Sequence, residues 1–461
     1  MLFFSRCALS ESAGRLLVGT IPWTADFRRT GTFHVGPAEI KPVPLDRAIA
    51  TPPFLKAATF GTVRDGWLVD RLQREFVTFG TALDNVGARS LSHRGQGFKV
   101  NGQGQTISPT AFFDLNALVP DEFTPFRLTG ELAPFQHASL HRPRSLGIFT
   151  GPLLICPKGG YDASTQRGRY GAAVSLDSLL YTENFFGISF RDSDDRLPFL
   201  FNGILNSSLT SFQLALAGPI WGLERPTVGP SDLLDLRVPD LAQSAPGLID
   251  AVLAAEARVA ADRDDHAALV AWDDAVFDLY GLDEDERILA TESVERARGL
   301  IFENRRERAQ STLRPDKSAM SAYANRLVVS INRYLRVRNT RYLSAEVVSA
   351  ETSNDASRVG IPGIAAIRLV MNNGPNKHCP RIGDAAAQVQ QQLSGLLKGT
   401  ANGAVPPYLN ERRQLRIYGD GDLFVVKPAE RRYWTETAGL NDADLILADH
   451  WLQEHDTLAR R

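Results

Sequence analysis

The chain has 461 residues, of which 43% are hydrophobic and 23% are charged. This composition is typical of globular proteins, and the length suits two or three domains. The formal net charge of −2 excludes a uniformly basic protein that coats nucleic acid, although it permits local basic surfaces.

Neither a membrane protein nor a disulfide-rich protein is indicated. No apolar run reaches the roughly 18 residues that a membrane-spanning helix needs, and the first residues lack the pattern of a secretory signal. The three cysteines, Cys7, Cys156 and Cys379, lie far apart and form no CxxC motif. We therefore expect a cytoplasmic protein with no metal site and no membrane partner.

The first half of the chain is predicted to be rich in short strands. Residues 1–64 contain β-like runs, such as "RLLVGTIPW", that Gly and Pro interrupt. Residues 65–243 open with an amphipathic helix in "TVRDGWLVDRLQREFVTFG" and continue as strands joined by long loops. One buried helix is predicted for the apolar stretch Leu197–Leu216.

Residues 244–312 are predicted to be almost continuously helical. Gly281 is expected to end one helix, and Asp283 with Glu286 to cap the next. The segment is strongly acidic, so DNA phosphates would repel it. We interpret it as a helical spacer whose apolar stripes dock a partner; the alternative is a solvated helix surface. The stripes contain Leu248, Val252, Val259, Leu269, Val276 and Leu279.

Residues 313–461 are predicted to form a small α+β domain of unknown role. A basic stretch, "NRLVVSINRYLRVRNTRYLSAEVVSA", is followed by a helix in "AAAQVQQQLSGLLKG". "RQLRIYGDGDLFVVKP" predicts a hairpin that turns at Asp420–Gly421. A last helix covers "NDADLILADHWLQEH", where Asn441–Asp444 is interpreted as a helix cap and not as a metal site. The predicted fold class is α+β throughout.

No recognisable catalytic motif is present in the sequence. "GQGFKVNGQG" has neither the Rossmann spacing nor the Lys-Ser/Thr ending of a Walker loop. "VPPY" at 405–408 begins with Val, which cannot accept a hydrogen bond from a flipped base as the Asn, Asp or Ser of an adenine methyltransferase does. His378 beside Cys379 lacks a third partner nearby in the sequence. We therefore expect a recognition or scaffolding subunit and not an enzyme.

Four segments in order resemble the target-recognition region of large adenine-specific DNA methyltransferases of restriction–modification systems, and the specificity subunits of Type I systems. They are "RGQGFKVNGQGQ", "PFRLTGELAPFQHASLHRPRSLGIFTGPLLICPKGG", "LFNGILNSSLTSFQLAL" with "WGLERPTVGPSDLLDLRVPD", and "WDDAVFDLYGLDEDE". The resemblance covers residues 65–290. Residues 1–64 resemble the last strands of the methyltransferase domain that precedes this region in the family.

The resemblance implies a non-catalytic DNA-specificity subunit in a restriction or antiphage system. The family's catalytic motifs are missing here, so a partner methyltransferase would bind S-adenosylmethionine and modify the adenine. This chain would then need no cofactor of its own. A second copy of the chain, or the partner, would contact the rest of the DNA site. The alternatives are a protein–protein scaffold with a recognition-like fold and a nuclease in residues 313–461.

The stretch "LSHRGQGFKVNGQGQ", from Leu91 to Gln105, is the candidate for base reading. Asn and Gln amides pair with adenine, Arg and Lys pair with guanine, and glycines let the backbone approach DNA closely. A phosphate-binding nest and a surface loop without a ligand are the alternatives. The predicted DNA contacts are Arg94, Gln96, Lys99, Asn101, Gln103, Gln105, Arg142, Arg144, Lys158, Arg167 and Arg169.

Overall fold

The predicted α+β class is confirmed by a computed structural model, in which helices and several small sheets alternate along the chain. The chain divides into two compact units. Unit 1 contains Met1–Ala50, Ala58–Arg64 and Arg306–Arg461, and unit 2 contains Thr51–Ala57 and Asp65–Arg305. The structure describes residues 14–19, 40–89, 92–128, 131–158, 169–218, 227–297, 315–338, 341–348, 364–373, 382–384, 414–418 and 421–459.

Unit 2 is built on a five-stranded sheet in the order β4-β12-β9-β10-β7, in which only the β7–β10 pair is parallel. Its central strands, β9 and β12, are buried along their whole length, which fits their near-continuous apolar sequences. The strands are β3 (Val77–Thr78), β4 (Arg94–Gln96), β5 (Thr106–Ile107), β6 (Ala117–Leu118), β7 (Phe126–Arg127), β8 (Ser139–Leu140), β9 (Leu153–Pro157), β10 (Ala173–Ser175), β11 (Leu180–Tyr181), β12 (Phe185–Ser189) and β13 (Arg237–Val238).

The buried helix predicted for Leu197–Leu216 is two helices, because the chain turns at Asn206 and Ser207. The Ser207 hydroxyl accepts a hydrogen bond from the Thr210 amide and so caps the second helix. Apolar periodicity did not reveal this break, since both halves are buried on nearly every side. The first helices of the chain are α1 (Leu45–Ala50), α2 (Pro52–Phe60), α3 (Val63–Glu75), α4 (Phe79–Asn85), α5 (Leu197–Leu205), α6 (Ser208–Leu216) and α7 (Pro230–Leu234).

The part of the acidic segment that the structure describes, residues 244–297, forms three helices, and two of their predicted boundaries are confirmed. Gly281 has a φ of +57° just after the second helix, as a C′ glycine does. The Asp283 and Glu286 side chains each accept the other residue's backbone amide, at 3.0 and 2.9 Å, which is a capping box. The helices are α8 (Pro246–Ala261), α9 (His266–Leu279) and α10 (Glu284–Ala297).

These three helices pack on unit 2 itself, which corrects the prediction that their apolar stripes dock a partner. Five of the six stripe residues are already buried within the chain, and Leu248 is half-buried. α8 contacts α5, and α10 contacts α6. The predicted spacer and the predicted recognition domain therefore share one unit. The buried stripe residues are Val252, Val259, Leu269, Val276 and Leu279.

Two arginine–carboxylate pairs fasten the helices to the strand-rich part of unit 2. Arg169 binds both oxygens of Asp273 on α9, at 2.8 and 2.6 Å, and both side chains are about nine-tenths buried. Arg127 on β7 binds both oxygens of Glu256 on α8, and the Asn202 amide also donates to Glu256 at 2.7 Å. Acidic residues of the segment thus neutralise internal arginines.

Unit 1 contains a second five-stranded sheet, in the order β16-β14-β15-β18-β17. Two long helices pack on one face of it around Tyr323, Ile367 and Trp434. The predicted hairpin is confirmed by the antiparallel pairing of β17 and β18, with Gly421 at a φ of +93°. The elements are β1 (Arg15–Gly19), β2 (Ile40–Pro44), α11 (Lys317–Arg338), β14 (Arg341–Val348), β15 (Ile364–Asn373), β16 (Ile382–Asp384), β17 (Leu415–Tyr418), β18 (Asp422–Pro428) and α12 (Glu436–Ala459).

The cap predicted at Asn441–Asp444 is wrong, because α12 begins at Glu436 and this tetrapeptide lies inside the helix. The Thr435 hydroxyl accepts from the Ala438 amide instead. Asp442 is buried and accepts hydrogen bonds from Lys427 and Tyr323, and burial lowers the pKa of Lys427.

Three other features of the sequence lie outside the described residues. They are the helix predicted in "AAAQVQQQLSGLLKG", the "VPPY" sequence and the His378–Cys379 pair.

We expect Asp273→Ala to lower the free energy of unfolding of unit 2 by about 3 to 5 kcal/mol, since the Arg169 charge would stay buried without its partner. Urea unfolding followed by hydrogen exchange of the α9 amides measures the loss. The matched control is Asp274→Ala on the same helix. Asp274 is 57% exposed and lies 3.5 Å from Arg287, so its loss should cost at most about 1 kcal/mol. Equal losses in the two variants would contradict the role of the buried pair.

The stability of unit 2 should also rise with pH through one half-buried lysine. Burial lowers the pKa of Lys56 from 10.5 to about 8, and its ammonium donates to the Gly218 carbonyl. Between these two values the unfolded chain holds a proton that the folded chain has lost, so unfolding becomes less favourable as pH increases. Relative to Lys56→Met, the native protein should gain up to about 1.4 kcal/mol per pH unit in that window. Parallel unfolding energies of the two proteins from pH 8 to 10.5 would contradict the assignment.

Candidate nucleic-acid interface

Three residues of the stretch predicted as a flexible loop belong to the central sheet. Arg94–Gln96 is strand β4, which pairs with β12. Phe98 is 1% exposed and contributes to the aromatic core of unit 2. Gly97 is required at its position, because a Cβ there would collide with the Tyr181 carbonyl oxygen. These ordered residues therefore fix the position of the exposed segment that follows them.

The exposed segment that follows runs from Asn101 to Ile107, and we name it the amide turn. All seven of its residues are exposed, including Asn101, Gln103 and Gln105. Gly102 has a φ of +155° and Gly104 a φ of +73°. Glycine adopts such angles readily, whereas other residues are strained there. The two glycines therefore turn the chain so that three amide side chains are presented to solvent.

The amide turn is held at both ends by backbone pairing. At its start, the His141 amide donates to the Lys99 carbonyl at 2.9 Å. At its end, strand β5 pairs antiparallel with β8, placing Ile107 opposite Ser139. Leu140 of β8 is completely buried in the core of unit 2. The turn is thus an exposed feature carried by a rigid base.

Gln105 is oriented by two further contacts. Its amide oxygen accepts from the Ser139 hydroxyl at 2.9 Å, and its amide nitrogen donates to the Val100 carbonyl at 3.3 Å. A glutamine amide has two N–H donors and an oxygen with two lone pairs. One donor and one acceptor position therefore remain available to a ligand.

Four other predicted contacts are at least partly exposed. Arg142 is exposed, and Lys99 is 37% exposed and pairs with Glu183 at 3.2 Å. Arg144 and Lys158 are half-buried, and the Arg144 Nε donates to the Gly97 carbonyl at 3.3 Å. The backbone of Lys99 bridges to that of Arg142, so these two lie side by side at the base of the turn.

Three predicted contacts are engaged inside the protein. Arg94 is 9% exposed, pairs with Asp84 at 3.0 Å and donates to the Gly80 carbonyl. The Gln96 amide donates to the Glu183 carbonyl at 2.8 Å. Arg169 is the partner of Asp273 described above. Arg94 and Arg169 are about nine-tenths buried and would have to break internal ion pairs to reach a ligand, so we remove these two from the candidate surface. Gln96 is half-buried and stays a predicted contact. The remaining predicted residue, Arg167, lies outside the described residues.

Two features of the surface were not recognised from the sequence. Ile107 is 88% exposed at the end of the amide turn, and Ser139 orients Gln105 from a strand more than thirty residues away. Isoleucine is more often buried than exposed, so the residue type alone does not indicate an exposed position. Only the pairing of β5 with β8 brings Ser139 and Ile107 together.

No group of three or more His, Cys, Asp or Glu side chains is placed to hold a metal ion in the described part of the chain. Among the same residues, no helix combines the length and apolar character needed to cross a bilayer. Cys156 is completely buried, and burial raises the pKa of its thiol. This cysteine is therefore a packing residue of strand β9.

The comparisons with known proteins are sparse. No protein-family model and no curated protein matches the chain. Seventeen solved chains match. One belongs to a structure of the Type IIL restriction-modification enzyme MmeI in complex with DNA, with 13% identity, a TM-score of 0.20, and coverage of 32% of this chain and 21% of that chain. The likeness is partial and spans about a fifth of the other enzyme, so it establishes neither a shared fold nor a shared activity.

The two glycines of the turn should respond differently to alanine. In Gly102→Ala the new Cβ would lie 2.5 Å from Cδ2 of His141, so the turn must shift. In Gly104→Ala the space is open, and only backbone strain of about 1 to 2 kcal/mol is expected. Hydrogen exchange at His141 should accelerate strongly in the first variant and little in the second. Equal protection in both variants would contradict the described packing of the turn.

Proposed function

We propose that this chain is a DNA-sequence specificity subunit that directs a partner adenine methyltransferase to its target site. The observation that carries the proposal is the amide turn, which presents Asn101, Gln103 and Gln105 to solvent on a rigid base. Amide side chains pair bidentately with the N6 and N7 edge of adenine in the major groove. A two-stranded β-ribbon is narrow enough to enter that groove.

The charges beside the turn suit a duplex ligand. Arg142 is exposed at its base, and Lys99 and Arg144 lie close to it. Guanidinium and ammonium groups bind phosphates, which positions a protein on DNA without specifying sequence. The net charge of −2 is compatible with this arrangement, because acidic residues such as Asp273 and Glu256 are consumed in internal pairs.

The methylation step is assigned to a partner in this proposal. The sequence contains no methyltransferase motif, so S-adenosylmethionine would bind to the partner, which would flip and modify the adenine. The restriction–modification context is supported by the order of the four sequence segments that resemble target-recognition regions. A second copy of the chain or the partner itself would contact the rest of the site.

A protein–protein scaffold is the second candidate, and the structure changes how the two are separated. Replacing Arg94 or Gln96 would remove internal bonds of β4, so loss of DNA binding in such variants would reflect damage to the sheet. Asn101 and Gln103 form no hydrogen bond with other described residues and are exposed, so they are the informative positions.

We expect the double variant Asn101→Ala, Gln103→Ala to reduce the ratio of specific to non-specific DNA affinity by about 30-fold or more, since each of the two bidentate amide–adenine pairs provides about 1 to 3 kcal/mol of discrimination. Titration of duplexes enriched from a random library measures this ratio at fixed salt. Gln243→Ala, an exposed amide whose bond is to Asp240, is the matched control.

The scaffold hypothesis predicts no change in DNA binding. Under it, the double variant binds DNA as the unmodified chain does, while a methyltransferase that copurifies with the chain modifies the same motif whether or not the chain is present. Adenine methylation mapped with and without this subunit therefore decides between the two candidates.

A further inference from the structure

Ile107 is the most exposed large apolar side chain in the described part of the chain, and it lies in the amide turn. Its exposed fraction is 88%, against 64% for Leu176 and 47% for Phe113. Exposing a side chain of this size forgoes roughly 1.5 to 3 kcal/mol of hydrophobic stabilisation. Single exposed apolar residues are common, so exposure alone assigns no role. The neighbours of Ile107 provide the second observation.

Gln105 and Ile107 lie on the same side of the turn. Gln105 directly precedes strand β5, and side chains two residues apart along extended backbone point in the same direction, about 7 Å apart. Ser139 confirms the shared side, because it pairs opposite Ile107 and its hydroxyl donates to the Gln105 amide oxygen. The oriented amide and the exposed isoleucine therefore face a ligand together.

The two side chains complement the two halves of an A·T pair. The major-groove edge of A·T presents the adenine N7 and N6 groups and the thymine 5-methyl group, whereas G·C offers no methyl. Gln105 retains one N–H and one oxygen lone pair, which are the two positions that adenine N7 and N6 require. Ile107 is β-branched and has a restricted χ1 angle, so little conformational freedom is lost when it contacts a methyl group.

We infer that Gln105 and Ile107 form one reading unit for A·T base pairs, in which Gln105 binds adenine and Ile107 contacts the methyl group of a thymine in the same or the neighbouring pair. This inference rests on the proposed function and adds the base composition of the site and the residue that recognises thymine. Arg142 and Lys99, beside the unit, bind the phosphates that flank it.

The test removes one methyl group or one ring nitrogen from the DNA, and one side chain at a time from the full-length chain. A duplex enriched from a random library is resynthesised with each thymine replaced in turn by deoxyuridine, and each adenine by 7-deazaadenine. One deoxyuridine should weaken binding of the unmodified chain by about fourfold, which is the loss of affinity expected when one buried methyl group is removed. The same duplex should bind Ile107→Ala with no additional loss. One 7-deazaadenine should weaken binding of the unmodified chain and not of Gln105→Ala.

Leu176→Ala is the matched control, because Leu176 is also exposed and apolar but follows strand β10. It should respond to every modified duplex as the unmodified chain does. If every deoxyuridine affects the unmodified chain and Ile107→Ala equally, the reading unit is refuted while sequence-specific binding, and with it the proposed function, remains. If Ile107→Ala binds DNA normally but loses a copurifying methyltransferase, Ile107 is a protein contact and the inference is wrong. If no duplex is enriched, the proposed function fails, and the inference fails with it.

Discussion

Two arginine–carboxylate pairs, one buried and one half-buried, are the constraint on which the rest of unit 2 depends. Arg169 with Asp273 and Arg127 with Glu256 join helices α8 and α9 to the strand-rich part of the unit. Removing a guanidinium and a carboxylate from water is unfavourable, and it is offset only when geometry and further hydrogen bonds are good. Here both pairs are bidentate, and Asn202 and the Ser208 amide donate to the same carboxylates. This requirement selects one arrangement of helices against the sheet.

That arrangement explains why the amide turn can be both exposed and well positioned. The turn follows β4 of the five-stranded sheet and ends in the separate two-stranded sheet of β5 and β8, whose Leu140 lies in a core of packed aromatic rings. Binding groups carried by a rigid base lose less entropy on association than groups in a mobile loop. A glycine-rich sequence therefore serves a fixed turn here, because a side chain at Gly97 would collide with Tyr181, and Gly102 and Gly104 have positive φ angles.

The distribution of charge follows the same division. Acidic residues of α8 and α9 compensate internal arginines, and others stay on the outer surface of these helices, where Asp274 and Asp278 pair with Arg287. Basic and amide groups beside the turn face solvent instead. A chain of nearly neutral net charge can in this way combine a surface that repels anions with one that suits them.

The sequence by itself determined the α+β class, the capping box at Asp283, the helix end at Gly281 and the hairpin before β18, because each depends on residues within a few positions of one another. Only the tertiary structure decided which polar residues remain available to a ligand. Arg169 and Asp273 are 104 residues apart, and Arg94 meets Asp84 through a turn between a helix and a strand. An arginine in a glycine-rich segment has the same local signature whether its partner is a phosphate or a buried carboxylate. Burial and pairing over long sequence distances, which arise only when the chain has folded, distinguish the two.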